Sequence, residues 1–159
     1  MKDKLITIKY KELASVDELS KEEQILFEKA IEATCGAYAP YSQFNVGAAV
    51  QLDNGEIISA ANQENAAYPS GLCAERSTIF YAHSKYPNVP IVAIAIVAKV
   101  NGKLTATPTY PCGACRQVLS ESQTRGKKPI KIIIGSAGKI EIIDSVNDLL
   151  PFAFDNLPI

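Results

Sequence analysis

The chain is poor in the residues that would advertise a simple function. Its 159 residues include a single histidine, His83, so any site built on paired imidazoles is excluded. Charge is nearly balanced, at -1 overall, and no basic stripe runs through the sequence. That argues against a nucleic-acid backbone as partner, which demands clustered lysine and arginine. The longest apolar run, "PIVAIAIVA" from Pro90 to Ala98, is far short of the roughly 20 residues that cross a bilayer. This predicts a protein with no membrane partner. The start, "MKDKLITIKYKELAS", has neither the apolar core nor the small-residue cleavage site of a secretory signal. Internal repeats, low-complexity tracts and linker-like shifts in composition are missing as well. One domain spanning residues 1–159 is therefore expected, in the cytoplasm. In that reducing compartment cysteines serve metals or catalysis rather than disulfides.

Apolar residues at 47% and charged residues at 21% suit a globular chain with a real core. Ser20 and Glu23 form a capping-box pattern ahead of "KEEQILFEKAIEATCGA", which reads as a helix. Leu26, Ala30, Ala33 and Ala37 recur at helical spacing, and Gly36 supplies a stop. "NVGAAVQL" and "EIISAA" read as strands joined at Asp53-Asn54-Gly55. A helix follows from Cys73. "IVAIAIVAKV" is β-branched and apolar throughout, as a central strand covered on both faces would be. Asn101-Gly102 turns the chain, and "CGACRQVLSES" gives a further helix. "IKIIIG" and "KIEII" are strands, and "SVNDLL" is a short closing helix. This order predicts an α/β fold: a three-layer α/β/α sandwich on a mixed sheet of about five strands, some of them parallel.

The informative residues are three of the four cysteines. Cys73 stands two places before Glu75, and Cys112 and Cys115 form a Cys-x-x-Cys after Pro111. A redox pair would use Cys112 and Cys115 but leave Cys73 and Glu75 without a purpose. A structural zinc site needs four ligands, and no fourth is at hand. Ten residues of helix, about 15 Å of rise, separate His83 from Cys73. Cys35 reads as a small buried hydrophobe inside the first helix. Three ligands leave one position open, which is the pattern of a catalytic metal. Helix starts suit thiolates, because unpaired N–H groups and the positive dipole end lie there. Arg76 can hydrogen-bond one thiolate and remove more of the excess charge. Glu75, one residue removed from a ligand, can handle a proton without occupying the metal.

Together these residues resemble the small zinc-dependent cytidine deaminases, whose signature joins a ligand-x-Glu to a later Pro-Cys-x-x-Cys. The resemblance runs from about Tyr38 to Phe154 through "YAPYSQFNVGAAV", "NQENAAYPSGLCAER", "PCGACRQVL" and "LLPFAF". It implies one Zn2+ per subunit on Cys73, Cys112 and Cys115, with Glu75 as proton shuttle and Arg76 as charge balance. It further implies that Asn62 and Glu64 hold ribose hydroxyls, that Phe44 stacks on the pyrimidine, and that Ala66 and Tyr68 wall the sugar. Phe154 would reach a neighbouring subunit's site in a homotetramer with shared active sites. The implied reaction is hydrolysis of cytidine and 2′-deoxycytidine to the uridines and ammonia, in pyrimidine salvage. Three other readings stand beside it: a deaminase of a nucleoside analogue such as blasticidin S, a nucleotide or nucleic-acid deaminase, and a non-catalytic zinc-binding interaction module. "NQEN" disfavours the first, Cys73 in place of a histidine disfavours the second, and Glu75 disfavours the third.

Overall fold

A computed structural model describes residues 1–155. Seven strands form one sheet: β1 (Lys11–Leu13), β2 (Asn45–Leu52), β3 (Ile57–Ala61), β4 (Ile91–Val100), β5 (Lys103–Leu104), β6 (Lys131–Gly135) and β7 (Ile140–Ile143). The spatial order is β1-β7-β6-β4-β2-β3, with β5 folded back on β4. Helices α1 (Lys21–Ala33), α2 (Ala74–Lys85), α3 (Gly113–Gly126) and α4 (Val146–Leu149) cover its faces. The five strands expected from sequence are all present. The two additional ones are three and two residues long, too short to leave a periodic signal. No helix among the described residues is long and apolar enough to cross a membrane.

Local chemistry sets the boundaries. Ser20 caps α1 in the reciprocal arrangement with Glu23: its Oγ accepts from the Glu23 N–H, and the Glu23 carboxylate accepts from the Ser20 N–H. The helix ends at Ala33 in a short 3-10 turn through Gly36. Cys35 lies on that turn and is exposed. The buried position expected for it from residue type fails, because it lies off the face that buries Leu26, Phe27, Ala30 and Thr34. Gly55 turns β2 into β3 at a φ of 87°, and Asn101 and Gly102 both take positive φ between β4 and β5.

Strand β4 shows why its sequence lacks alternation. Ile94 and Ile96 pack towards α2, α3 and α4 with Ile132, Ile134, Ile79 and Leu119. Ala93, Ala95 and Val97 face the other way, onto Leu26, Phe27 and Ala30 of α1. Close contact of α1 depends on two missing side chains. A Cβ on Gly47 would lie 2.0 Å from the Ala30 carbonyl oxygen, and one on Gly135 would lie 2.1 Å from the Phe27 ring.

Candidate active site

The sheet topology brings the cysteines together. Strands β3 and β4 each pair antiparallel with β2, so they run in the same direction. Helix α2 follows β3, and α3 follows β4 after the two-residue return strand β5, so both begin at the same end of the sheet. Ligands in such sheets gather outside the carboxyl ends of the strands for this reason. Cys73 is the N-cap residue of α2, Cys112 is the N-cap of α3, and Cys115 sits in the first turn of α3. Neither N-cap sulfur is spent on capping its own helix.

Sulfur atoms of Cys73 and Cys112 lie 3.9 Å apart, those of Cys112 and Cys115 3.5 Å apart, and all three fall within 4.8 Å of one another. Zinc bound tetrahedrally at about 2.3 Å from each thiolate sets its sulfurs roughly 3.8 Å apart. The triangle therefore fits that ion, and no further His, Cys, Asp or Glu among the described residues joins the cluster. His83 hydrogen-bonds Ser122 through Nε2 at 2.8 Å, away from the sulfurs.

The electrostatics favour a thiolate at Cys73. Its thiol is brought down to about 5, first by a hydrogen bond from Cys115 and then by Arg76. Arg76 points an Nη2 at the Cys73 sulfur from 3.8 Å. Cys115 is pushed the other way, by its hydrogen bond to Cys73 and by burial. Negative charge is thus favoured on Cys73 over Cys115, and thiol protons leave when a cation enters.

Glu75 occupies the first turn of α2 and is 5% exposed. Burial raises its carboxyl above the ordinary range, and the nearby Cys73 charge adds to the rise. A carboxyl with raised proton affinity beside a cation site can both accept and return a proton.

A cavity of about 520 Å³ opens beside Cys73, lined by Asn62, Glu64, Tyr68, Leu72 and Arg76 among others. Two of the expected sugar contacts also fasten the cavity wall. Asn62 accepts from the Val46 N–H at 2.8 Å and donates to the Phe44 carbonyl at 2.9 Å. Glu64 accepts from the backbone N–H groups of Tyr41 at 2.9 Å and Ser42 at 3.3 Å. Hydrogen bonds to Ser42 and Tyr41 hold its carboxyl below the usual value. Tyr68 packs edge-on against Tyr41, their ring centres 5.8 Å apart. Phe44, half-buried, and Ala66, exposed, do not line the cavity. Phe154 is 69% exposed, and its carbonyl accepts from Gln117 Nε2 on α3 at 2.7 Å. Leu157 and Ile159, the remaining apolar residues of the tail, lie outside the described residues. Tyr41, Ser42 and Leu72 also line the wall but were not singled out from sequence, since nothing in their spacing marks them.

With this geometry in view, the chain was compared with known proteins. The family model described as "Cytidine and deoxycytidylate deaminase zinc-binding region" matches residues 20–128. The chain belongs to that family. It is 45% identical to the cytidine deaminase of Halalkalibacterium halodurans over 82% of its own length and 92% of the relative's. With the cytidine deaminase of Mycobacterium tuberculosis it shares 36% identity, over 81% and 88% of the two chains. The crystal structure of the Burkholderia pseudomallei cytidine deaminase superposes with a TM-score of 0.71 at 39% identity, covering 82% of this chain and 97% of that one. A Mycobacterium tuberculosis structure gives 0.67 at 33%, covering 86% and 100%. The fold is accordingly that of the cytidine deaminases. The cysteine triangle lies within the matched span, and its three sulfurs could hold a metal ion.

Proposed function

We propose that this protein hydrolyses cytidine and 2′-deoxycytidine to uridine and 2′-deoxyuridine, releasing ammonia, as one cytoplasmic domain acting in pyrimidine salvage. The observation that carries the proposal is the sulfur triangle of Cys73, Cys112 and Cys115 with Glu75 buried one residue from a vertex. Cys73, Cys112 and Cys115 would hold one Zn2+, which would lower the pKa of water towards neutrality and so supply a nucleophile for the pyrimidine C4.

Glu75 does the proton work. It accepts a proton from the attacking water and delivers it to N3, so that the ring does not accumulate negative charge as the C4–O bond forms. The same carboxylate then carries the second proton to the exocyclic amine, which departs as ammonia while the C4–N bond breaks. The protons and electron pairs balance with water as the only co-reactant. The burial that raises the Glu75 carboxyl suits this double duty, because a shuttle works best with the two protonation states close in energy.

Arg76 offsets the excess negative charge of three thiolates, a role supported by its approach to Cys73. Asn62 and Glu64 receive the sugar hydroxyls. Asn62 retains a second amide hydrogen beyond its bond to Phe44, and Glu64 brings a charged acceptor. Tyr68 and Ala66 flank the sugar, and Phe44 stacks on the base. Phe154, exposed on its own subunit, completes the site of a neighbour in a homotetramer.

Following absorbance of purified protein on cytidine, CMP and blasticidin S tests the reading directly. Turnover of cytidine with little on the other two is expected. Turnover of CMP or blasticidin S in preference to cytidine overturns it.

A further inference from the structure

The loop that delivers Cys112 is sparsely held. Between β5 and α3 the chain runs from Thr105 to Cys112, and two of its residues, Pro108 and Pro111, have no N–H to donate. Among the described residues, no backbone–backbone hydrogen bond outside strands and helices involves residues 106–110. Two fastenings lie close to the ligand. The Pro111 carbonyl accepts from Arg116 Nε at 2.9 Å. The Tyr110 hydroxyl donates to Oε2 of Glu141 on β7.

Glu141 is an unusual residue for its place. It interrupts a run of isoleucines in β7, and its side chain is only 4% exposed. Its cross-strand partner on β1 is another carboxylate, Glu12. Like charges set opposite each other in a ladder repel. Lys139 resolves the conflict by donating to Glu141 Oε1 at 2.7 Å and to Glu12 Oε2 at 2.9 Å. A buried carboxylate with its partners removed is costly, so such a group persists where both its oxygens are engaged. Here one oxygen takes the lysine and the other takes Tyr110. Glu12, Lys139 and Glu141 all lie outside residues 20–128, the span matched by the family model, whereas Tyr110 lies inside it.

We propose that Glu141 is a positioning residue for the metal site, fixing through Tyr110 the loop that presents Cys112, with Lys139 and Glu12 holding Glu141 in register. The contact reaches the metal ligand two residues along the chain rather than through the ligand's own sulfur. It acts on the angle at which Cys112 enters the sulfur triangle, and hence on how long the metal stays. The inference rests on the zinc site proposed above.

Zinc-loaded wild-type protein, Tyr110→Phe and Glu141→Gln are mixed with an excess of a chromophoric chelator, and the rate of zinc transfer is followed. Their cobalt-substituted forms are compared by visible absorption, which reports the geometry at the thiolates. Tyr110→Phe removes one hydroxyl from a half-exposed ring, so its fold survives even if Glu141→Gln is too unstable to purify. Release about tenfold faster is expected for each, at the low end of what losing a group that orients a ligand costs. A shifted cobalt spectrum should accompany it. Glutamine keeps a single acceptor oxygen, which Lys139 claims, so the double variant should release zinc no faster than Glu141→Gln. Zinc release within twofold of wild type and an unmoved cobalt spectrum in Tyr110→Phe overturn the proposal, even if the melting temperature falls. Wild-type protein that holds no zinc overturns the underlying site instead, which keeps the two failures apart.

Discussion

Replacing Glu75 by glutamine separates the chemistry of this residue from its packing. The side chain is 5% exposed in the first turn of α2, so the substitution must preserve volume, and glutamine does. It keeps a carbonyl oxygen to accept a hydrogen bond but has no site for a transferred proton. Losing one general acid–base contribution lowers kcat by roughly 10²–10⁴. Glu75 is assigned two transfers, so the expected loss lies at or beyond the upper end, about 5.4 kcal/mol in the barrier. Stability should move the other way. The carboxyl is raised by burial, so in metal-free protein its ionised form weakens the fold. A group whose folded pKa exceeds its unfolded value stabilises only while protonated, and that benefit is lost as pH rises through the folded pKa. Glu75→Gln stripped of metal should therefore melt no lower than wild type at pH 7, and the difference should vanish below the ordinary carboxyl range. The assays are cytidine turnover by ultraviolet absorbance, zinc content by atomic emission, and thermal unfolding at two pH values. Turnover within threefold of wild type, with zinc retained, would remove Glu75 from the mechanism.

Carefully prepared protein should carry one zinc per chain and no disulfide; uptake should release protons, because Cys115 holds its thiol proton in the free cluster. Calorimetry in buffers of different ionisation enthalpy measures that release, and a native Cys112–Cys115 bridge would contradict the assignment. Asn62→Ala and Glu64→Ala should raise KM for cytidine far more than for free cytosine. Each also removes two backbone hydrogen bonds of the cavity wall, so urea unfolding should show a loss of stability, about 1–3 kcal/mol for Asn62→Ala. Unchanged cytidine kinetics in both variants would contradict the sugar assignment. Truncation from Pro151 onward should leave zinc in place and cut activity, with light scattering reporting the assembly; a fully active monomer would end the shared-site reading.

Much of this was legible from sequence because it depends on local chemistry. The capping box at Ser20, the turn at Asn101-Gly102 and the helix starts at Cys73 and Cys112 are each written within a few neighbouring residues. The zinc triangle could be inferred because three side chains of rare type share one demand. Other features needed the third dimension. Cys35 is exposed, not buried, because it lies on a 3-10 turn off the face that buries Leu26, Phe27 and Ala30, which residue type alone does not reveal. Strand β1 owes its existence to pairing with β7, which no local preference in Lys11–Leu13 announces. Asn62 and Glu64 were marked for a ligand, and their hydrogen bonds to the Tyr41–Val46 backbone could not be read from spacing. A polar pair that shapes a cavity and a polar pair that serves its occupant look alike in one dimension.

The placement of the reacting groups follows from rigid elements. Helix α2 sets Cys73 and Glu75 relative to each other within one turn, and α3 does the same for Cys112 and Cys115. Neither relation can change without unwinding a helix end. The remaining freedom is how the two helices sit on the sheet, and that is fixed by Ile79 and Ala82 of α2 and Leu119 of α3 against Ile94, Ile96 and Ile132. These side chains are fully or almost fully buried, in a core packed about as tightly as an organic crystal, so small volume changes there shift the helices rather than being absorbed. A shift of a few tenths of an ångström is a sizeable fraction of the tolerance for a metal–ligand distance. The sulfur triangle is therefore a sensitive reporter of packing in this fold, although none of these core side chains belongs to it.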